Sequence, residues 1–260
     1  MPSLARISIH PIKSFNPVMI QETAVLPSGA LAHDREYALR DAEGKFVNAK
    51  RTAAIHRLHT SWDSALNTLC LQVEGSERAT QFTLPGDQAA LERLLSGYFD
   101  QPIILDRNAE AGFPDDANAP GPTIISTATL ETVASWYPGM TLDECRRRFR
   151  ANLEIDGVPA FWEDRLFGEA GEVVPFYIGD VLIEGVNPCQ RCIVPTRDTQ
   201  TAESTNEFAQ IFRARREETL PGWANRSRFN HFYRLAINTC IPVSEAGKTL
   251  RLGDRVVPLR

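Results

Sequence analysis

Two cysteines separated by two residues are the most reactive groups that the sequence offers. Cys189 and Cys192 enclose Gln190 and Arg191 and follow a largely apolar segment. Thiolates bind soft metals and take part in disulfide exchange. The pair could therefore contribute to a zinc site, act as a dithiol redox pair, or supply one thiolate to a metal carried by a larger cofactor. Both thiols could equally be small buried side chains without chemistry.

The surrounding sequence favours neither zinc nor dithiol chemistry. A tetrahedral zinc site needs two further ligands, and the nearest candidates, His231 and Cys240, lack the paired spacing typical of zinc motifs. A thioredoxin-like pair lies at the start of a helix, whereas Pro195 and the β-branched residues before it favour a strand or a loop. Arg191 would stabilise a neighbouring thiolate. The spacing alone leaves these interpretations open.

A run of arginines offers a way to hold an anion. Four of the five positions 146–150 are arginine. In a strand, Arg148 and Arg150 would share a face, and two guanidiniums can hold a phosphate through paired hydrogen bonds. A surface charge run paired with nearby acids explains the pattern equally well. Ser126, at the predicted start of a helix, could contact the same phosphate or only cap the helix.

Two further cations lie near the N-terminus. Lys13 belongs to Pro-Ile-Lys-Ser, which ends the first predicted strand, and Arg35 belongs to His-Asp-Arg-Glu, which precedes the third. We expect both side chains to approach the same anion. Taken singly, each is typical of a surface cation.

The elements that must position these residues are mostly strands in the first hundred positions. Alternation of apolar and polar residues predicts strands at 5–9, 20–26 and 69–73. A hairpin turn is predicted at 41–44, because Gly44 can adopt a positive φ. Apolar residues at helical spacing predict one helix over 87–98. A stretch rich in Ala, Gly, Pro, Asn and Asp at 108–122 predicts a linker between two domains.

The second half combines strands with short helices. Strands are predicted at 123–125, 149–155, 176–184, 231–239 and 250–259. One helix is expected after Ser126. Capping-box patterns at Thr141–Glu144 and Ser204–Glu207 predict the starts of two more helices. The predicted fold class is mainly β with a few helices, and the second half is barrel-like.

Composition excludes several classes of protein. The chain has 260 residues and a net charge of −5, so general attraction to nucleic acid or to an anionic membrane is not expected. No apolar run is long enough to cross a membrane, and the N-terminus lacks an apolar signal segment. Five scattered cysteines predict reduced thiols in a cytoplasmic protein.

The ordered set of short motifs resembles one known family. The motifs are Pro-Ile-Lys-Ser at 11–14, His-Asp-Arg-Glu at 33–36, Arg-Phe-Arg-Ala-Asn at 148–152, Trp-Glu-Asp at 162–164, Ile-Gly-Asp at 178–180 and Pro-Cys-Gln-Arg-Cys at 188–192. This succession is similar to MOSC proteins with an N-terminal MOSC β-barrel domain, which include the mitochondrial amidoxime-reducing component and its bacterial relatives. The resemblance spans essentially the whole chain.

The resemblance implies a molybdenum–molybdopterin cofactor held by a MOSC β-barrel and a smaller β-rich N-terminal domain. It divides the chain into an N-terminal MOSC domain at 1–112 and a MOSC domain at 113–260. Cys192 matches the molybdenum ligand. The positions that match cofactor-binding residues are Lys13, Ser14, Arg35, Ser126, Arg150, Asn152 and Arg191. Two departures are a longer segment between Asp164 and Ile178, and Ala151 in place of the family's proline.

The implied activity is the reduction of a small N-hydroxylated compound, with electrons from a separate electron-transfer protein. Asp164 or Glu163 is the candidate proton donor, although a solvated acidic turn would look the same in the sequence. An alternative function is a molybdopterin or sulfur carrier that does not turn over a small molecule. A barrel that has lost its cofactor is disfavoured, because Lys13, Arg35, Arg150 and Cys192 are all present.

Overall fold

The protein folds as a mainly β structure, as the sequence predicted. The computed structural model describes residues 1–259, which contain fifteen strands and four α-helices. In this range no helix is both long and apolar enough to cross a membrane.

Eight strands form one large sheet. In order across it lie β15 (Val256–Pro258), β11 (Val174–Ile178), β12 (Val181–Gln190), β13 (Arg234–Cys240), β9 (Ile124–Ser126), β10 (Leu153–Asp156), β1 (Ser3–Ile9) and β2 (Val18–Ile20). All neighbours are antiparallel except β9 and β10. The amide of Val256 donates to Pro2 O at 3.0 Å, and the amide of Leu4 donates to Asp254 O at 2.8 Å. These bonds join β1 to the β15 end, so the sheet closes into the predicted barrel.

The barrel interior explains why strands far apart in sequence belong together. Buried apolar side chains from the first nine residues pack with those of the second half, among them Ile7, Ile9, Leu153, Phe176 and Ile237. The alternation of β1 turns one face of the strand into this core. Thus β1 and β2, which fall within the predicted domain 1–112, are strands of the barrel.

A smaller β unit has a core of its own. It comprises the pair β4 (Tyr37–Arg40) and β8 (Ile104–Arg107), the meander β5 (Leu58–Trp62), β6 (Thr68–Val73) and β7 (Ala79–Thr83), and the helix α1 (Gln88–Phe99). Its buried side chains include Phe15, Leu39, Leu69 and Leu91. The predicted helix over 87–98 is confirmed. The predicted strand 20–26 is divided, because β2 pairs with β1 whereas β3 (Glu22–Ala24) pairs with β14 (Thr249–Arg251).

Three helices cover one side of the barrel. These are α2 (Thr127–Ser135), α3 (Leu142–Phe149) and α4 (Phe208–Glu218), and their apolar faces share a third cluster of buried residues. The Ser126 hydroxyl accepts the amide N–H of Thr129 at 3.2 Å, and the Thr141 hydroxyl accepts that of Glu144 at 3.1 Å. Both serve as helix caps, as their positions in the sequence predicted.

Four other local predictions were wrong. The strand expected at 250–259 is two strands, because β14 pairs with β3 whereas β15 pairs with β11. Residues 149–155 do not form one strand, because α3 continues to Phe149 and Arg150 ends it with a left-handed φ of 54°. The strand expected at 176–184 is divided into β11 and β12 by a turn at Gly179. No capping box starts α4, because Glu207 takes a left-handed φ of 55° and Ser204 instead pairs with Arg197 in a β-bridge.

Candidate functional site

A cavity of about 660 Å³ lies between the smaller β unit, the linker and one end of the barrel. Eight of its lining side chains are cationic and three are acidic. The cations are Lys13, Arg35, Lys50, Arg148, Arg150, Arg191, Arg228 and Arg234, and the acids are Asp34, Asp115 and Asp116. The chain as a whole carries a net charge of −5. Positive charge is therefore concentrated in this cavity, which favours an anionic ligand.

Both cysteines of the pair line the cavity. Cys189 is the penultimate residue of strand β12. Cys192 lies in the loop after this strand and packs against the core of the smaller unit. Both thiols are free. Arg191 directs Nη1 to the Cys189 Sγ at 3.1 Å and Nη2 to Phe149 O at 2.6 Å. The guanidinium thus lies beside the Cys189 thiol, where it can stabilise a thiolate.

Neither zinc nor thioredoxin-like chemistry fits this geometry. Residues 1–259 contain no group of three or more His, Cys, Asp or Glu side chains placed to hold a metal ion. The pair is followed by a short 3₁₀ turn at Val194–Thr196 and not by an α-helix. The geometry instead presents single thiols to a cavity that has room for a cofactor.

The loop after β1 brings one cationic group to the cavity. Lys13 is buried, and its Nζ donates to Phe113 O at 2.8 Å and to Asp115 Oδ1 at 2.9 Å. Lys50 Nζ reaches the same Asp115 oxygen at 3.2 Å. Burial alone would raise the pKa of Asp115, but Lys13, Arg35 and Lys50 hold it far below its usual range. The linker thus supplies a carboxylate that stays ionised among these cations.

Arg35 lies beside this group in a left-handed turn with φ 52°. It forms an ion pair with Asp34, which also accepts the His10 amide N–H at 2.8 Å. Burial opposes ionisation of Asp34, but Arg35 and His10 outweigh it and lower its pKa to about 2. Asn152 Oδ1 lies 3.5 Å from Arg35 Nη1. The same amide donates to Ser8 O at 3.1 Å, so Asn152 links the Arg35 turn to the barrel.

Arg150 reaches the cavity because it ends a helix. In its left-handed conformation it directs Nη2 to Phe15 O at 2.8 Å. Burial, and then the charge of Arg35, lower its pKa to about 10. Arg148 does not share its face, contrary to the prediction for a strand. It is buried in the last turn of α3, where Glu144 accepts from its Nε at 2.7 Å.

The residues present fit a group that is anionic and takes a thiolate ligand. Arg150, Arg191, Arg228 and Arg234 line the cavity, and within residues 1–259 none of the four has a carboxylate within 4.0 Å. Their recorded partners are backbone carbonyls, one amide oxygen and the Cys189 sulfur. The Nε atoms of Arg191 and Arg234 are buried without an acceptor in the part of the chain described. Buried donors without acceptors indicate that an anion completes the site.

Comparison with known proteins identifies the family. Residues 1–97 match the model of the MOSC N-terminal beta barrel domain, and residues 123–257 match that of the MOSC domain. The chain belongs to the MOSC family. The MOSC domain is associated with the molybdenum cofactor. A molybdenum cofactor sulfurase of Drosophila grimshawi is similar, with 25% identity over 224 residues that cover 74% of this chain. The match spans only 27% of that relative's length.

Most of the predicted MOSC site residues converge on the cavity. Those that line it are Lys13, Ser14, Arg35, Arg150, Asn152, Arg191 and Cys192. Ser14 has a left-handed φ of 75°, and its hydroxyl accepts the Ala49 amide N–H at 3.2 Å. Three of the converging residues, Ser14, Arg35 and Arg150, thus hold left-handed conformations that cost energy for a residue with a Cβ.

Two predicted site residues lie outside the cavity. Ser126 is fully buried, and its hydroxyl is engaged with Thr129 as the cap of α2. Asp164 is 3% exposed and forms an ion pair with Arg216, which is 1% exposed. The structure therefore gives Asp164 no contact with the cavity and does not support it as a proton donor. Asp164 lies within the Trp-Glu-Asp motif, and its buried ion pair with Arg216 favours a structural role.

Several MOSC cavity residues were not predicted from the sequence. Asp115 and Asp116 belong to the linker, which lies close to the Arg35 turn: a Cβ on Gly112 would lie 2.5 Å from Asp34 O. The predicted linker composition accounts for its irregular course, but not for its contact with the site. Arg228 and Arg234 were also missed. Their one sequence signal is a pair of arginines flanking the start of a predicted strand.

Proposed function

We propose that this MOSC protein holds molybdenum–molybdopterin through Cys192 and reduces small N-hydroxylated compounds with electrons from a separate donor protein. The observation that carries the proposal is the cavity in which two thiols lie among arginines without carboxylate partners. A thiolate is a suitable ligand for a soft metal, and fixed guanidiniums are suitable partners for a phosphate. When bound, the cofactor supplies two-electron oxygen-atom chemistry.

The residues of the smaller unit and of α3 would hold the anionic part of the cofactor. Lys13, Arg35 and Arg150 all line the cavity, which gives three cations for the anionic part of the cofactor. The charge on Arg150 and Arg191 is free to pair with a phosphate, whereas Lys13 and Arg35 already have carboxylate neighbours. Asn152 would act through Arg35, because its own amide is engaged with the barrel.

The reaction balances with a donor of two electrons and a source of two protons. The N–O bond of R–NH–OH breaks, and the products are R–NH₂ and water. Asp34 and Asp115 stay ionised beside their cationic partners, so both protons would come from solvent. Ile193 is 50% exposed beside Cys192, and it offers an apolar contact for the electron donor.

Metal analysis tests the first part of this proposal. The protein is purified from a host that makes molybdopterin, and molybdenum is counted by mass spectrometry. We expect near-stoichiometric molybdenum in the wild type, its loss in Cys192→Ser, and its retention in Cys189→Ser as the matched control. Equal molybdenum in all three proteins would contradict the role of Cys192. Turnover of benzamidoxime with reduced methyl viologen as electron source then tests the reductase.

A second candidate function is a carrier of molybdopterin or of sulfur. It is favoured by the second thiol, Cys189, which lies in the same cavity with Arg191 against its sulfur, and by the sulfurase named above. A carrier would exchange its cofactor readily and would not reduce an amidoxime. A sulfur carrier would show a mass increase of one sulfur atom that a thiol reductant removes, without molybdenum.

A further inference from the structure

Two arginines at the barrel end of the cavity, Arg228 and Arg234, are not among the cations assigned above to the phosphate of the cofactor. Arg228 precedes β13 and Arg234 begins it, and both line the cavity. Arg228 Nη1 donates to Gly168 O at 2.6 Å and to Glu169 O at 2.7 Å. Arg234 donates to Pro188 O at 2.9 Å and to an amide oxygen. Neutral acceptors thus fix both guanidiniums in position without compensating their charge.

The two guanidiniums are close enough for their charges to interact. Burial lowers the pKa of Arg234, and the charge of Arg228 lowers it further. The Nε of Arg234 is buried and has no acceptor in residues 1–259. Two cations that line one cavity without a carboxylate partner favour an anionic ligand.

Asp116, one of the acids that line the cavity, is already engaged. Asp116 Oδ2 lies 3.4 Å from Asn238 Nδ2, and the same amide nitrogen donates to Asn187 Oδ1 at 3.1 Å. Within the described chain Asp116 forms no ion pair with either arginine. It therefore does not take the place of an external anion, while the two asparagines offer polar contacts to the uncharged part of a ligand.

Arg234 lies beside the segment that carries Cys189. Pro188, whose carbonyl holds Arg234, directly precedes Cys189, and Arg234 is paired in register with Gln190 across β12 and β13. Lys13 and Arg35 come instead from the smaller unit, where Asp115 and Asp34 accompany them. Arg228 and Arg234 thus belong to the barrel side of the chain, and within residues 1–259 neither has the carboxylate partner that Lys13 and Arg35 have.

We propose that Arg228 and Arg234 bind an oxyanion of the substrate, so that this site prefers N-hydroxylated compounds that carry a carboxylate or a phosphate. The inference rests on the proposed reductase function. Planar guanidiniums match both oxyanions through paired hydrogen bonds. The oxyanion would anchor the far end of the molecule, and its N–O group would then lie near the thiols.

Steady-state kinetics with a matched substrate pair tests this inference. Benzamidoxime and 4-carboxybenzamidoxime differ in one carboxylate. We expect Arg234→Gln to raise the KM of the carboxylated compound about tenfold or more, as loss of a charge-assisted hydrogen bond predicts, with kcat and the uncharged compound unaffected. Arg228→Gln should act in the same direction. An arginine that only supports the fold would change both compounds equally, and that result would overturn the inference.

A matched control and a binding assay separate this inference from the reductase proposal. Arg213 is exposed and lies outside the cavity lining, so Arg213→Gln removes the same charge and should leave the substrate preference unchanged. If the wild type reduces neither amidoxime, the reductase proposal fails, and calorimetry on the purified protein decides the arginine site. Benzoate or phenyl phosphate should then bind about tenfold more tightly than benzamide, and Arg234→Gln should abolish the difference. The probe that binds more tightly identifies the oxyanion, and equal binding of all three would refute the site.

Discussion

The buried ion pair between Asp164 and Arg216 makes a prediction that separates a structural role from a catalytic one. The pair joins a 3₁₀ turn at Trp162–Arg165 to α4, across 52 positions of the chain. Both side chains are almost fully buried. Arg216 also lies over the rings of Phe161 and Phe229, at 4.3 and 5.0 Å. We expect Asp164→Ala to destabilise the protein and to leave the chemistry of the cavity intact.

The size of this destabilisation follows from the hydrogen-bond and charge partners that Arg216 would lose. Its Nη1 has no acceptor in residues 1–259, and its Nε makes one long bond of 3.3 Å to Arg234 O. Without Asp164 the guanidinium would be a buried charge without a counter-ion, which costs about 3–5 kcal/mol in comparable cases. Asp164→Asn keeps an acceptor and should cost about 1–3 kcal/mol. A double variant, Asp164→Leu with Arg216→Met, should recover most of the stability, because it removes both charges.

Urea denaturation followed by circular dichroism measures these free energies of unfolding, and molybdenum content of the folded protein serves as the second readout. The reasoning is refuted if Asp164→Ala loses less than about 1 kcal/mol. A stable Asp164→Ala protein that binds molybdenum but turns over no substrate would restore Asp164 as a proton donor.

Three further predictions concern local structure and pH. Thr141→Ala removes the hydroxyl that caps α3 and should lower the free energy of unfolding by about 1 kcal/mol in urea; no change would show that the cap is dispensable. Gly185→Ala places a Cβ 1.6 Å from Leu166 O and should abolish soluble expression, whereas Gly97→Ala, with open space in α1, should raise the melting temperature. A Gly185→Ala protein that is more stable than Gly97→Ala would contradict the close packing of β12 against Leu166. His10 is buried with its pKa lowered to about 3 by burial and then by Arg150, so its contribution to stability is complete above about pH 6.5 and is lost as the pH falls towards 3. As the pH is lowered, the free energy of unfolding should therefore fall less steeply in His10→Gln than in the wild type. The same slope in both proteins would argue against a neutral His10.

Local patterns were reliable where a residue's neighbours in sequence decide its structure. The alternation of β1, the apolar spacing of α1 and the hydroxyl caps at Ser126 and Thr141 were all predicted, because each depends on contacts within four or five positions. The capping-box pattern at 204–207 failed, since Ser204 pairs with Arg197 in a β-bridge and its neighbour Thr205 accepts from Arg148 Nη1 at 2.8 Å.

The sequence by itself determined the mainly β fold class, the cysteine pair and most of the cations that surround it. Family resemblance supplied the cofactor hypothesis and the choice between the two thiols. Resemblance also proposed Ser126 and Asp164, which the fold directs away from the cavity.

Only the tertiary structure decided which charges remain available to a ligand. Lys13 and Asp115 are 102 positions apart, and Arg191 reaches Phe149 O across 42. Strand pairing and helix packing set such contacts, and no local pattern records them. The same long-range contacts neutralise Lys13 and leave Arg228 and Arg234 charged, because a guanidinium held by backbone carbonyls is fixed in place but keeps its charge.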